Sequence, residues 1–594
     1  MAYAQQVGPV FEDGQAQVVP AFENPDDWIR EELWVETEFD SDGDGERDRV
    51  HVAVTRQAQT AEGLKVPVVY ETSPYFAGTA SLGDLFWNVE HEIGDTPPAR
   101  PVAQKFEARN RPGISQSQER DWLPRGFAVV HSSSPGTGLS QGCPTVGGSN
   151  EALAPKAVVD WLNGRARGFT SAEGGDEVTA DWSTGKVGMT GTSYNGALPV
   201  MAATTGVDGL EAIIPIAPVT SWYLYYRSNG AVRSPGGYLG EDADVLYDFI
   251  HSRDSDRWDY CNQTYRDGEM AEGLSRETGD LTPFWAARDY IAQAGNVRAA
   301  TLMSHGFNDW NVMTENSFLF AKALEGRGVP VQYYYHQQGH GGAPPMRLMN
   351  RWFTRYLYDV ENGVEEDPRA WIVRENDDRM EPTPYATFPN PGSASVPLYV
   401  RATRATPDGD NMMGGLSLTR SDDTQGTAML SDDASQDGES LSGFAPNSAR
   451  LLYVTPRLQT PLHLSGVTRV SMRVAVNKPS ANVSVWLVSL PWSDGWRKAG
   501  GGITRGWADP QNATALDSSA PLVPGEFVDL SFDLQPDDEI VAAGQMLGLM
   551  VFSSDPEFLL HPEAGTQLTL DQDALMVELP VVGGEDAIRA AFGQ

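Results

Sequence analysis

Three side chains in the middle of the 594-residue sequence could together form a nucleophilic catalytic site. Ser193 stands in the run Lys-Val-Gly-Met-Thr-Gly-Thr-Ser-Tyr-Asn-Gly of residues 186–196, which predicts a buried strand that breaks abruptly into a helix. Asp309 and His340 each follow an apolar run of strand length further along the chain. A serine hydroxyl becomes a nucleophile when an imidazole removes its proton, and the imidazole needs a carboxylate to fix its tautomer. The order therefore predicts Ser193 as the nucleophile, Asp309 as the acid and His340 as the base.

The turn at Ser193 departs from the common G-x-S-x-G pattern. The second glycine is Gly196, one place later than usual, and Asn195 fills the usual position. Asparagine tolerates unusual backbone angles and can cap a helix, so the turn remains feasible. Pro199 has no N–H to donate, which indicates that the regular helix begins late, near Asn195, or is kinked. The alternative is that Ser193 only caps a helix after a buried strand.

Two further histidines are rivals for the role of base. His305 lies at the end of the strand that precedes Asp309, and His336 is still attached to the strand that precedes His340. Glycines flank His340 on both sides, which predicts a mobile loop that can bring its imidazole to Ser193. His340 is therefore the preferred base, and His336 is expected to be packed.

The negative oxygen that develops during acyl transfer needs hydrogen-bond donors. The backbone N–H of Tyr194, directly after the nucleophile, supplies one by geometry. The second should come from the loop after an early strand, where Tyr75 lies. Tyr194 and Tyr75 are thus the predicted oxyanion hole, and the alternative for Tyr75 is an aromatic ring packed beside Pro74.

The secondary structure around these residues is predicted from the sequence pattern. Short apolar runs of strand length alternate with helical stretches, which predicts a parallel α/β sheet. Serine, acid and histidine in this order are typical of the α/β-hydrolase fold. An aromatic and charged segment without a clear strand predicts a helical lid, and later alternating patterns predict an all-β, jelly-roll-like sandwich. The predicted division is 1–219 for the first part of the hydrolase, 220–297 for the lid, 298–384 for the second part and 385–594 for the sandwich. Within the last, residues 408–447 predict a long loop or a loosely ordered insert.

Charge and composition exclude several classes of function. The net charge of −38 is opposed to binding nucleic acid or anionic membranes, both of which need clustered basic residues. No apolar run approaches the length of a membrane span, and the N-terminus lacks the basic head and apolar core of a signal peptide. The sequence as written predicts a cytoplasmic protein, or a secreted one if a signal peptide was removed. Two cysteines, Cys143 and Cys261, are either free thiols or one disulfide.

A polar turn between two predicted strands has the spacing of a calcium loop. Asp40, Asp42 and Asp44 alternate with small or polar residues. The twelfth position of such a loop would be His51, where a bidentate glutamate is needed. The prediction is a polar turn, with calcium as the alternative, and neither a metal nor a cofactor is assigned to the protein.

Several stretches resemble X-prolyl dipeptidyl aminopeptidases, which are serine peptidases that remove an N-terminal dipeptide ending in proline. The matching stretches are Gly-Lys-Val-Gly-Met-Thr-Gly-Thr-Ser-Tyr-Asn-Gly (185–196), Ala-Thr-Thr-Gly-Val-Asp-Gly-Leu-Glu (203–211), Thr-Ser-Trp-Tyr-Leu-Tyr-Tyr-Arg-Ser-Asn-Gly (220–230), Gly-Glu-Asp-Ala-Asp (240–244) and Asn-Asp-Trp-Asn-Val (308–312). The wider family includes cocaine esterase and related ester and acyl hydrolases with the same fold and triad. The resemblance covers roughly residues 30–380 and is weaker in the C-terminal part.

This resemblance implies roles for residues outside the triad. It gives the triad the same three members and favours Tyr75 as an oxyanion donor. It implies a proline pocket lined by three residues, Trp222, Tyr225 and Val312. It also implies that Glu241 holds the free α-ammonium of the substrate, because a carboxylate is a direct means of recognising one positive charge. The alternative for Glu241 is a solvated charge on the lid.

The predicted function is a serine peptidase that releases N-terminal X-Pro dipeptides through an acyl-enzyme on Ser193. An ester or acyl hydrolase of the cocaine-esterase type is the alternative. A carbohydrate-binding protein with an inactive α/β domain is a third, which an intact triad in the correct order argues against. The expected partners are peptides with a free N-terminus and proline second, with no nucleic acid and no membrane. A homodimer stays open, because some members dimerise through an N-terminal helical domain for which this chain has too few residues.

Overall fold

A twelve-stranded sheet runs through the first part of the computed structural model and carries the predicted site. The structure describes residues 7–90, 92–96, 98–103, 105, 115–252, 255–375, 377–402, 414–493 and 501–594. The strands lie side by side in the order Thr383–Tyr385, Ala370–Val373, Val331–His336, Ala300–Gly306, Leu210–Ile216, Ser183–Thr192, Val66–Ser73, Ala128–Ser133, Arg49–Arg56, Ile29–Glu36, Gly168–Phe169 and Glu177–Val178.

The middle of this sheet is parallel and buried on both faces. Every neighbouring pair from Ala370–Val373 through Ala128–Ser133 is parallel, and the pairs beyond these two strands are antiparallel. All residues of the strand Val66–Ser73 are buried, as expected for a strand covered by helices on both sides. This confirms the predicted α/β class.

Helices cover the two faces of the sheet. Apolar side chains of Ser149–Leu162, Tyr194–Thr204 and Glu315–Glu325 share one core with the strands. A second core on the opposite face contains side chains of Gln116–Trp122 and Met346–Tyr358. The shorter 3-10 helices of the chain are Pro20–Phe22, Pro25–Asp27, Ala58–Glu62, Leu82–Asp84, Leu123–Arg125, Ala294–Asn296 and Pro510–Asn512, and a small hairpin pairs Phe11–Glu12 with Gln15–Ala16.

The described part of residues 220–297 adds only the two-residue strands Arg227–Ser228 and Ala231–Val232, which pair with each other. Its helices are Trp222–Tyr226, Ala243–Ile250, Trp258–Cys261, the π-helical segment Asn262–Met270, Ala271–Gly273 and Pro283–Ala286. A disulfide joins Cys143 to Cys261, so the loop that follows the strand Ala128–Ser133 is covalently tied to this segment. The pairing that the sequence left open is formed in this structure.

Thirteen strands form the C-terminal part. They are Ser393–Ala402, Gly414–Ser417, Thr427–Ser431, Arg450–Val454, Leu462–Gly466, Arg469–Val476, Val483–Leu490, Gly502–Ala508, Phe527–Asp533, Asp537–Val541, Met546–Phe552, Gln567–Asp571 and Met576–Val582, followed by the helix Gly584–Ala591. Strands far apart in the sheet order contribute to one apolar core, so the sheet folds over on itself as the predicted sandwich.

One expectation for this part is wrong. The segment predicted as a long loop or loose insert contains the strands Gly414–Ser417 and Thr427–Ser431 and the short helix Gly438–Leu441. The side chains of Leu416, Leu430 and Leu441 are buried there, whereas most of the surrounding positions are polar or glycine. Single buried leucines in a polar sequence give too weak an alternation to indicate strands. The beginning of the segment, residues 408–413, lies outside the described residues.

The C-terminal part contacts the lid segment. The main-chain oxygen of Trp507 accepts hydrogen bonds from the side chains of Ser228 and Asn229. Asp280 of the lid accepts hydrogen bonds from the Asn512 side chain and the Ser519 backbone. These contacts fix one side of the lid to the sandwich. No described helix has both the length and the apolar surface needed to cross a membrane.

Candidate active site

The sharp turn at Ser193 connects the strand Ser183–Thr192 directly to the helix Tyr194–Thr204. Ser193 has φ of 65° and ψ of −126°, a conformation that L-residues rarely adopt and that is found where strain serves a function. Its backbone N–H donates to the carbonyl oxygen of Ile216 at 2.9 Å, which fixes the turn to the neighbouring strand. The serine side chain is thereby held above the carboxyl end of the sheet.

The two glycines of the turn are required by close backbone contacts. A Cβ on Gly191 would lie 2.3 Å from the carbonyl oxygen of Asn195, and one on Gly196 would lie 2.6 Å from that of Ile216. Gly196 therefore allows the close backbone approach for which the common pattern uses a glycine one position earlier, where this chain has Asn195. The helix begins at Tyr194, one residue before the expected position, and contains Pro199. The carbonyl that Pro199 leaves without a helical partner is that of Asn195, which lies against Gly191.

His340 and Asp309 form a direct pair at the same edge of the sheet. Nδ1 of His340 lies 2.8 Å from Oδ2 of Asp309. Asp309 is almost completely buried, and its Oδ1 accepts hydrogen bonds from the backbone N–H groups of Asn311 and Val312. Burial alone would raise the pKa of Asp309, but hydrogen bonds and charge from His305 and His340 hold that pKa below its usual value. Asp309 is therefore a carboxylate that can orient an imidazole and stabilise its charged form.

The rival histidines occupy supporting positions. His305 is fully buried, with Nε2 2.8 Å from the carbonyl oxygen of Val312 and 3.3 Å from Oδ2 of Asp309. His336 accepts a hydrogen bond from the Gln338 backbone at Nδ1, and its Nε2 lies 3.0 Å from the Gly341 carbonyl oxygen. Burial lowers the pKa of His336 to about 4, so its neutral ring donates from Nε2 to the loop that carries His340. Of the three histidines, only His340 is among the residues that line the cavity with Ser193.

The predicted oxyanion-hole residues lie beside the nucleophile. Tyr194 is the first residue of a helix, where backbone N–H groups have no intrahelical partner. Tyr75 follows the strand Val66–Ser73, lines the same cavity and meets the Tyr194 ring edge to face at 5.9 Å. Burial, with added repulsion from Glu241 and Glu151, raises the pKa of Tyr75. The phenol of Tyr75 therefore keeps its proton and can donate a hydrogen bond.

Sequence reasoning missed Glu151. This carboxylate is fully buried, accepts hydrogen bonds from the backbone N–H groups of Thr145, Val146 and Gly147, and accepts one from the Tyr194 hydroxyl at 2.6 Å. It fixes the Tyr194 side chain beneath the nucleophile. A glutamate near the start of a helix is common in sequences, so no local signal marks it.

The nucleophile opens into a cavity of about 250 Å³ between the sheet edge and the lid segment. Its lining residues are Tyr75, Leu82, Ser193, Tyr194, Val219, Trp222, Tyr225, Tyr238, Glu241, Leu246, Phe249, Asn311 and His340. The predicted pocket residues Trp222 and Tyr225 are among them. Val312 is not; it is fully buried behind Asp309, which its backbone N–H supports. Asn311 comes instead to the surface of the cavity, where its Oδ1 lies 3.4 Å from the Tyr225 hydroxyl.

Glu241 and its neighbour Asp242 have opposite surroundings. Oδ2 of Asp242 is paired with Arg227 at 3.0 Å and with Arg276 at 2.6 Å. Glu241 lines the cavity with 4% of its surface exposed, accepts a hydrogen bond from the Tyr226 hydroxyl at 2.9 Å and has no ion-pair partner among the described residues. Burial raises the pKa of Glu241 to about 8, against the lowering effect of Tyr226 and with a smaller contribution from Asp242. The cavity thus holds one buried carboxyl group that lacks a cation.

Comparisons with known proteins cover both parts of the chain. A model of the family described as "X-Pro dipeptidyl-peptidase (S15 family)" matches residues 42–342. A model described as "X-Pro dipeptidyl-peptidase C-terminal non-catalytic domain" matches residues 362–586. The "Putative Xaa-Pro dipeptidyl-peptidase" of Rhodopirellula baltica is 54% identical over 583 residues, which are 97% of this chain and 92% of the relative. The "Xaa-Pro dipeptidyl-peptidase" of Lacticaseibacillus rhamnosus is 31% identical over 93% of this chain and 76% of its own length.

Solved structures with the same fold have much lower sequence identity. A CocE/NonD family hydrolase from Staphylococcus aureus superimposes with a TM-score of 0.66 at 16% identity, over 93% of this chain and 96% of that chain. An α-amino acid ester hydrolase superimposes with a TM-score of 0.64 at 16% identity, over 96% of this chain and 98% of that chain. These likenesses show that the fold is shared over more than nine-tenths of the chain.

Proposed function

This chain belongs to the S15 family of X-Pro dipeptidyl-peptidases, whose reaction releases N-terminal dipeptides with proline second, and we propose that Ser193, Asp309 and His340 are its triad. Three features support this assignment. Ser193 stands on a strained turn, His340 is bonded to a buried carboxylate, and the serine and histidine line one cavity. The same arrangement of roles recurs in hydrolases of unrelated sequence.

The reaction follows from the geometry of these three side chains. Ser193 Oγ attacks the carbonyl carbon of the substrate proline while Nε2 of His340 takes the hydroxyl proton. The bond from that carbon to the nitrogen of the next residue breaks, and the proton passes from His340 to the departing amine. Water then attacks the resulting ester with His340 again as the base, which releases the dipeptide and restores Ser193.

The oxyanion of each tetrahedral intermediate is stabilised by two donors. The Tyr194 backbone N–H lies at the start of the helix, next to the nucleophile, and Tyr75, whose hydroxyl is assigned as the second donor, lines the same cavity. Donors that are fixed before the reaction stabilise the developing charge at little reorganisation cost. Glu151 maintains this arrangement by holding the Tyr194 ring.

Recognition of the free N-terminus is assigned to Glu241, and the uncompensated burial of this carboxyl group is the observation that carries the specificity proposal. An α-ammonium group supplies the missing cation, and the ion pair that forms holds the carboxyl group ionised. A simple ester without an amino group has no such charge, so a hydrolase of such esters would gain nothing from a buried carboxyl group in this cavity. The aromatic walls formed by Trp222 and Tyr225 suit the compact, apolar proline ring.

One substrate panel tests the proposal. Alanyl-prolyl anilide, its N-acetylated form and a simple aryl ester are compared for the natural protein and for Ser193→Ala, Glu241→Gln and Glu277→Gln. The last variant removes one exposed lid carboxylate and serves as the matched control. Glu241→Gln is expected to lower kcat/KM for the free anilide by about tenfold or more, since a charge-assisted hydrogen bond is worth ~1.5–3 kcal/mol. Aryl ester cleavage should change by less than about threefold.

Each assignment can fail separately. Turnover retained by Ser193→Ala would exclude that serine as the nucleophile. Acetylated and free anilides cleaved at equal rates would exclude Glu241 as the ammonium site. Cleavage of the aryl ester without cleavage of the free anilide would favour an ester hydrolase of the same fold.

A further inference from the structure

Three carboxylates meet in the loop that joins the strands Ile29–Glu36 and Arg49–Arg56, and none of them lines the cavity of the proposed peptidase site. They belong to Asp40, Asp42 and Asp48, and one oxygen from each lies within 4.8 Å of the other two. Within the described ranges no other group of three His, Cys, Asp or Glu side chains comes this close. Like charges at such distances repel, so the arrangement needs a compensating positive charge.

The described surroundings of Asp42 contain no positive charge that compensates the three carboxylates. The residue is only 7% exposed, and its Oδ1 is buried without any hydrogen-bond partner among the described residues. Its Oδ2 accepts one long hydrogen bond, 3.3 Å, from the backbone of Gly142. A buried carboxylate oxygen without a partner is costly, and such atoms normally bind a cation or a donor.

Basic side chains do not supply the charge. In the described part of the chain, no Lys, Arg or His nitrogen lies within ion-pair distance of these three carboxylates. Arg257 does reach the loop, but its Nε and Nη2 donate to the main-chain oxygen of Asp42. Asp48, which is almost fully buried, has one oxygen occupied by the backbone and hydroxyl of Ser41. Both oxygens of Asp40 accept backbone hydrogen bonds, Oδ1 from Gly43 and Oδ2 from Gly45. Oδ1 of Asp42 and Oδ1 of Asp48 are therefore the carboxylate oxygens of this group that have no donor among the described residues, and each oxygen that accepts a single bond keeps a second lone pair for an ion.

We propose that this loop binds a calcium ion through the carboxylates of Asp40, Asp42 and Asp48. Calcium takes six to eight oxygen ligands in a flexible geometry and accepts several carboxylates at once. Magnesium binds few carboxylates and keeps most of its water, and zinc prefers nitrogen and sulfur ligands. Main-chain carbonyl groups of the loop and water can complete the shell.

The hairpin explains why the sequence pattern was incomplete. In a loop that leads into a helix, the twelfth position supplies a bidentate glutamate, and here that position is His51. The loop instead returns as the strand Arg49–Arg56, which brings the ninth position, Asp48, back against Asp40 and Asp42. The third carboxylate therefore comes from the ninth position of the loop, because the twelfth position supplies none.

The ion would hold together the elements that anchor the lid. The main-chain oxygen of Ser41 accepts a hydrogen bond from the Tyr265 hydroxyl, and the Ser41 hydroxyl accepts one from the Cys143 backbone. Cys143 is in turn disulfide-bonded to Cys261. Calcium binding is therefore expected to stabilise the lid anchor as well as the hairpin.

Terbium luminescence tests the site directly. Terbium replaces calcium in carboxylate sites and is excited through nearby tyrosines; Tyr265 bonds to the loop, and the Tyr260 hydroxyl lies against Gly43. In chelator-treated protein, terbium emission should rise to saturation and be displaced by calcium, with magnesium at least about 100-fold less effective. Calcium at about 100 times its Kd should add ~2.7 kcal/mol to stability, seen as a higher Tm that a chelator reverses.

Variants separate the proposed ligands from general charge effects. Asp42→Asn and Asp40→Asn should weaken terbium and calcium binding by about tenfold or more, whereas Glu46→Gln, an exposed acid of the same loop, should bind within about twofold of the natural protein. In chelator, Asp42→Asn should be as stable as the natural protein, because it removes an unpaired buried charge. Ser193→Ala should bind terbium unchanged, so this test does not depend on the peptidase proposal. Absent saturable emission, or equal binding by Asp42→Asn, would overturn the site.

Discussion

At the scale of single residues, the carboxylates of this protein differ in whether a cationic side chain or a hydrogen-bond donor lies beside them, and this difference determines what each can do. Asp309 has two histidines and two backbone donors and is held ionised. Asp242 has two arginines, whereas its neighbour Glu241 has only a tyrosine hydroxyl. Strand-to-loop positions in the sequence were enough to predict Asp309. Nothing in the sequence separates Glu241 from Asp242 except resemblance to a family, because the arginines that distinguish them are distant in the chain.

The pKa of Glu241 predicts the pH dependence of catalysis. This carboxyl group titrates at about 8 in the empty site, so its ionised fraction grows as the pH rises through that value. kcat/KM for alanyl-prolyl anilide should therefore increase towards about pH 8 and fall again when the substrate amine, with an ordinary pKa of roughly 7.7–8.0, loses its proton. The profile is measured from about pH 5.5 to 9.5 beside that of Glu241→Gln. An acid limb of unchanged position and size in that variant would contradict the assignment.

At the scale of elements, the nucleophile turn can be recognised from the sequence pattern of its strand and helix. The positions at which the turn requires glycine cannot be recognised in this way. The stretch from Gly191 to Gly196 predicted a strand, a nucleophile turn and a helix. The role of Gly196 emerged only from the structure, because the carbonyl group it approaches belongs to Ile216 on the next strand. The calcium loop gives the same lesson: Asp48 completes the acidic group because the chain returns as a strand. Local patterns do not encode such contacts between elements.

Gly191→Ala tests whether the turn at Ser193 can accommodate an added methyl group. The added methyl would lie 2.3 Å from the Asn195 carbonyl oxygen, so the backbone that presents Ser193 must shift. A displacement of about 1 Å can lower kcat by ~100-fold, and overpacking typically lowers the free energy of unfolding by about 1–3 kcal/mol. Gly443→Ala is the control, since no atom lies within 4 Å of its added methyl. Near-normal turnover in Gly191→Ala would show that the turn relaxes without moving the nucleophile.

At the scale of the whole molecule, the sandwich meets the hydrolase through a buried acidic cluster. Asp537, Asp538 and Glu539 are all nearly buried, and the Tyr385 hydroxyl donates to Asp538 at 3.1 Å. The Asp538 main-chain oxygen accepts a hydrogen bond from the side chain of Gln337, the first residue after the strand Val331–His336 and three residues before His340. Alternating patterns predicted the sandwich itself. They could not predict its contact with the catalytic loop, since that contact joins residues about 200 positions apart.

This cluster predicts a stability that falls as the pH rises. Burial and mutual repulsion raise the pKa values of Asp537 and Glu539 well above the ordinary range, so above roughly pH 4 the folded state keeps protons that the unfolded state has lost. The free energy of unfolding should then decrease with increasing pH through the neutral range. Asp537→Asn should reduce this loss by about 1 kcal/mol or more, whereas the exposed control Asp517→Asn should not. Urea unfolding at about pH 5.5 and 8 measures the difference, and equal slopes for both variants would refute it.

Hydrogen bonds between the lid and the sandwich bear on which polypeptide ends can enter the cavity. Ser228, Asn229 and Asp280 are each bonded to the sandwich, so this side of the lid is tied to a second domain. We expect a lid held in this way to open little, so that an extended, unfolded chain end enters the cavity more readily than a folded one. The rate at which a protein substrate is trimmed should then increase with the fraction of time that its first few residues are unfolded.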